Sequence, residues 1–80
     1  MPAAVFESEP QASATAQILR ELGFDSQVVL RGNNTFEERS RDFFAGKEAP
    51  FEPQALLISN DADGERFAHA VQRHYGVLLL

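Results

Sequence analysis

The sequence predicts an α+β sandwich in the order βαββαβ, with an extra short helix between the second and third strands. Three observations predict it. Two stretches of helical periodicity each run from a polar capping residue to a glycine, Ser8 to Gly23 and Asp61 to Gly76. Short apolar runs flank both of them, as in two strand–helix–strand units placed in series. Between the units lies a third, shorter helical pattern that is rich in phenylalanine.

Ala3 to Glu7 reads as the first strand, with Val5 and Phe6 its bulky apolar residues. Ser8-Glu9-Pro10-Gln11 fits a capping box, in which Ser8 accepts from a backbone N–H three residues on and Gln11 reaches back. Pro10 is tolerated there because first-turn N–H groups have no helical acceptor. From Pro10 to Leu22, the residues Ala12, Thr15, Ala16, Leu19 and Leu22 recur at helical spacing, and Ile18 widens the stripe. Gly23 reads as the left-handed residue that ends the helix, with Phe24 packing back on Leu19. Gln27 to Leu30 is β-branched and reads as the second strand, closed by Gly32-Asn33-Asn34.

Thr35-Phe36-Glu37-Glu38 is a second capping box. It opens a short helix that puts Phe36, Ser40, Phe43 and Phe44 on one face and stops at Gly46. Two readings of this helix stand side by side: a core-facing element, or a segment that offers its phenylalanines to a partner. Lys47 to Pro53 is loop, anchored by Phe51. Gln54 to Ser59 is the third strand. Its continuous Ala55-Leu56-Leu57-Ile58 suits a central strand covered on both faces. Asp61 is the expected N-cap of the next helix, which buries Phe67, Ala68, Val71 and Tyr75 and closes at Gly76. Val77 to Leu80 is the fourth strand.

The halves superimpose when Gly23 is set on Gly76. Ser8 then meets Asp61, Val5 meets Ile58, Ile18 meets Val71 and Leu22 meets Tyr75, which makes the two helices equal in length. Two such units form a ferredoxin-like sandwich, with strands one and three central and both long helices on one face. The alternative counts the Phe-rich helix as a full member and gives a small three-layer α/β fold around a parallel sheet. The wholly apolar Val77 to Leu80 suits that alternative better than it suits an edge strand.

Composition narrows the functional classes. The chain has 80 residues, expected to form a single domain, with twelve acidic against seven basic side chains and a net charge of −5. An acidic field repels phosphate backbones, so nucleic acid is not an expected partner. Cysteine is absent, which removes disulfides, thiolate metal sites and cysteine nucleophiles together. The N-terminal stretch carries no basic segment followed by a long apolar one, and no run reaches a membrane span, so the expected location is cytoplasmic.

The segment Ser8-x-Pro10 with Ala12, followed by Ile18-Leu19-x-x-Leu22-Gly23-Phe24-x-Ser26-x-Val28, resembles small prokaryotic signal-transducing domains. It is also similar to the ferredoxin-like general-stress domains, and more loosely to sporulation-related peptidoglycan-binding repeats. The likeness covers Val5 to Val29 well and Leu57 to Val71 weakly, and the Phe-containing middle departs from all three. It implies a bacterial regulatory domain, and it carries no site residues over. A peptidoglycan role would also require export.

The candidate chemistries thin out on inspection. Asp61-Ala62-Asp63-Gly64-Glu65 glances at a calcium loop, but aligning Gly64 with the loop glycine puts Ala70 where a bidentate carboxylate belongs. His69 and His74 point about 140° apart on a helix, so they cannot share a metal. No nucleophile elbow, dinucleotide fingerprint or phosphate loop is present. We therefore expect no catalytic residues, no metal and no cofactor. Arg66, His69 and Arg73 form the one basic stripe, read either as a solvated face or as an anion site. The turn Arg31-Gly32-Asn33-Asn34 is either a simple turn or an anion-binding nest. Two functional readings follow. One is a non-enzymatic regulatory or protein-interaction domain that self-associates, through Phe36, Phe43 and Phe44 or the Leu-rich terminus. The other is a small sensor of an anionic ligand held by Arg66, His69 and Arg73, or by Arg31 and Gly32.

Overall fold

A computed structural model describes residues 2–38 and 51–79. The described elements are β1 (Ala3–Phe6), α1 (Glu9–Glu21), β2 (Ser26–Leu30), a helical stretch α2 at residues 34–38, β3 (Ala55–Ser59), α3 (Gly64–Arg73) and β4 (Val77–Leu79). The four strands lie in the order β2-β3-β1-β4, and every neighbouring pair is antiparallel. This is the ferredoxin-like arrangement with the extra helix inserted, and it excludes the parallel three-layer alternative. The expected central positions of β1 and β3 hold, and β4 is an edge strand despite its apolar sequence.

The alternation of side chains across each strand builds two cores. Ala4, Phe6, Ala55 and Leu57 face the helices and close on Ala12, Ala16 and Leu19 of α1 and on Phe67, Ala70 and Val71 of α3. Both long helices therefore cover the same face. Phe6, Leu19, Leu57 and Val71 are fully buried here, each worth about 1.5–3 kcal/mol on transfer from water. Ala3, Val5, Val29 and Leu56 face the opposite way and close on Phe36, with Phe51, Ile58, Val77 and Leu79 packed at the margin. Phe36 is thus a core residue, whereas Phe43 and Phe44 lie outside the described residues.

The helix ends follow the expected logic with shifted residues. Gly23 takes φ 91°; its N–H donates to Arg20 O and the Phe24 N–H to Leu19 O, the paired bonds of a Schellman end. In α3 the same pair of bonds runs from Tyr75 N–H to Gln72 O and from Gly76 N–H to Val71 O. The left-handed position is therefore Tyr75, at φ 60°, and not Gly76. Gly76 is needed for room: a Cβ there would sit 2.5 Å from Phe6 Cε2 and 2.7 Å from Val71 Cγ1. Tyr75 accordingly faces water and is 80% exposed, against its expected burial, and Leu22, its partner in the half-repeat, is 48% exposed. Each sits at a helix end, past the last turn that can reach the sheet.

The N-caps move as well. Asp63, not Asp61, caps α3 by accepting from the Arg66 N–H at 2.9 Å. Ser8 stands at the N-cap of α1, but its hydroxyl donates to Gln11 Oε1 instead of accepting from the backbone. Gln11 in turn donates to His74 O, a carbonyl at the end of α3 that has no helical donor of its own. The expected Thr35 cap is Asn33, whose Oδ1 accepts from the Thr35 N–H at 2.9 Å. Ser8 thus corresponds to Asp63, because the β3–α3 connection is two residues longer than β1–α1. The helices differ in length, 13 residues against 10.

Candidate functional site

The longer β3–α3 connection is occupied by a clasp. Ser59 is fully buried at the end of β3. Its hydroxyl donates to Asp25 O at 2.7 Å and accepts from the Ala62 N–H at 3.2 Å. Asp61 Oδ1 accepts from the Asp25 N–H at 3.0 Å. Asp61 thereby ties the turn after α1 to the turn before α3, which is why the capping role passes to Asp63. The clasp places the start of α3 beside the end of α1.

An open groove results between the two helices. It is lined by apolar Ile18, Leu22 and Ala70 and by charged Asp63, Glu65 and Arg66, with His69. Arg66 is engaged on two sides: its Nε lies 3.6 Å from Asp63 Oδ2, and its guanidinium carbon lies 6.0 Å from the centre of the Phe24 ring. Both contacts are exposed and contribute little to stability. Arg66 and His69 share this groove, and Arg73 is not among its lining residues. The groove therefore mixes both signs of charge instead of focusing one.

The second candidate anion site is the turn after β2. Gly32 has φ 97°, as a turn of this kind requires. Its N–H donates to Glu37 Oε1 at 3.2 Å, and Arg31 is ion-paired with Glu52. A carboxylate from the chain itself takes the place that a bound anion would occupy.

Among the described residues, no three His, Asp or Glu side chains are grouped as metal ligands, and no helix is long and apolar enough to cross a membrane. No protein-family model, no curated protein and no solved structure matches the chain.

Two features escaped sequence reasoning. One is the buried Ser59 clasp, whose signal was the surplus of polar capping residues in Ser59-Asn60-Asp61-Ala62-Asp63. The other is Tyr75, an aromatic residue displayed in the left-handed region immediately before the β4 edge. No local pattern marks it, because the adjacent glycine is the residue that invites that assignment.

Proposed function

We propose that this chain is a non-enzymatic regulatory domain that works through protein–protein contact and associates with itself. One observation carries the reading. The sheet is apolar on both faces, and α1 and α3 contribute nothing to the second one. On that face Ile58 of β3, and Val77 and Leu79 of β4, stand on either side of β1 and are only half-buried. Half-buried aliphatic side chains on one sheet face gain stability when a second surface covers them. The resemblance to small signal-transducing domains points in the same direction, and a cytoplasmic setting suits it.

The sensor reading draws on the groove that holds Arg66 and His69. Asp63 and Glu65 stand in the same groove and oppose an anion there, and Glu37 already occupies the Gly32 turn. These carboxylates favour the interaction reading. Sedimentation equilibrium over a wide concentration range tests it, with reversible self-association as the expected result. A strict monomer up to about 1 mM refutes it. Phosphate and nucleotide titrations followed by amide NMR shifts test the sensor reading, and shifts clustered at Arg66, His69 or Gly32 would reinstate it.

A further inference from the structure

The two edges of the sheet are built differently. β2 carries Ser26 and Gln27, and Asp25 and Arg31 bracket it, so polar and charged groups blunt that edge. β4 carries only Val77, Leu78 and Leu79, each half-buried. It carries no charge and no proline, and its one safeguard against edge pairing is its shortness, three residues. Both of its faces end open: Leu78 packs at the margin of the helix-side core, and Val77 and Leu79 pack at the margin of the opposite one. Among the described residues, no strand pairs with the outward N–H and C=O groups of β4. Immediately before β4, Tyr75 is held at φ 60° and 80% exposed. That conformation costs a non-glycine residue about 1–2 kcal/mol, and such strain tends to accompany a displayed, working residue.

We infer that β4 is the self-association edge and that its occupant is the β4 of a second copy. The two strands pair antiparallel about a two-fold axis perpendicular to the sheet. The inference rests on the self-association proposed above and gives it a location. Charge argues for a second copy. The chain carries a net charge of −5, so any surface shared by two copies must keep like charges apart. Residues 75–79, Tyr-Gly-Val-Leu-Leu, are uncharged, and isologous pairing sets this stretch against itself. Such pairing merges two four-stranded sheets into one. Both apolar cores then continue across the seam, and Tyr75 lies at its ends. The seam is short, which places the complex in the weak, transient class.

The test uses the full 80-residue chain. Hydrogen exchange is measured at several concentrations, together with sedimentation equilibrium on the wild type and on three variants. Val77→Lys puts a charge directly in the seam. Tyr75→Asp puts one at its end, at a position whose exposure and left-handed backbone suit aspartate. Gln27→Lys marks the opposite edge. The expected result is a rise in β4 amide protection with concentration. Dimer affinity falls about tenfold or more in Val77→Lys and Tyr75→Asp, and is unchanged in Gln27→Lys. A dimer that is indifferent to both seam variants, with protection rising elsewhere, overturns the β4 assignment and leaves self-association standing. A chain that is monomeric throughout overturns both. The exchange measurement needs only wild-type protein, so a variant that fails to fold does not remove the test.

Discussion

Replacing Gly76 with alanine separates two explanations of one glycine. If Gly76 were the left-handed end of α3, the difficulty would be conformational, and asparagine would relieve it. The structure assigns the left-handed position to Tyr75 and leaves Gly76 a question of space. An added Cβ lies 2.5 and 2.7 Å from Phe6 Cε2 and Cζ, and 2.7 Å from Val71 Cγ1. Phe6 and Val71 are both 0% exposed, so neither can swing into solvent to make way. Overpacking of this kind costs about 1–3 kcal/mol. Two separate core side chains must move, so the upper half of that range is expected. For a domain of this size, each kcal/mol lowers Tm by about 4–8 °C. Gly76→Ala should therefore melt about 10–20 °C below wild type, and Gly76→Asn should be no better. Tyr75→Gly should gain about 1 kcal/mol, because it removes the left-handed cost while adding no atom. Urea unfolding at constant m-value is the assay. A Gly76→Ala protein within about 0.5 kcal/mol of wild type would refute the reasoning, as would a Tyr75→Gly protein that is less stable.

Two further substitutions test the connections that set the groove. Ser59→Ala removes the hydroxyl that serves both Asp25 O and the Ala62 N–H; leaving such groups unpaired in a buried site costs about 1–3 kcal/mol, read from the urea midpoint. Asp63→Ala removes the side-chain acceptor of the Arg66 N–H and should cost about 0.5–2 kcal/mol. Faster amide exchange should be confined to the first turn of α3. Asp61→Ala, which loses the Asp25 N–H instead, should speed exchange at Asp25 and leave Arg66 protected. Exchange at Arg66 that responds equally to both variants would contradict the cap assignment.

Local patterns in the chain determined which stretches become strands and helices, which strand lies inside, and which apolar stripes face the sheet. Leu19, Val71 and Leu56–Ile58 are legible because burial periodicity is written residue by residue, at a period of 3.6 in helices and of 2 in strands. Gly23 is legible because one residue carries the whole conformational requirement of the turn. The shifted caps were not legible. Ser59, Asn60, Asp61 and Asp63 can all accept a backbone N–H, and only the position of the Asp25 turn decides which of them is spent on the clasp. The role of Gly76 was hidden for a similar reason: its crowding comes from Phe6, far away in sequence, while Tyr75 beside it absorbs the backbone strain. The half-repeat points to the antiparallel ferredoxin-like order and leaves a parallel sheet as the alternative; the strand pairings of the tertiary structure decide for the first. An apolar tetrapeptide such as Val77 to Leu80 has the same local character at an edge as in a centre. Its position is settled by which neighbours reach it, and among the described residues β1 is the strand that pairs with it.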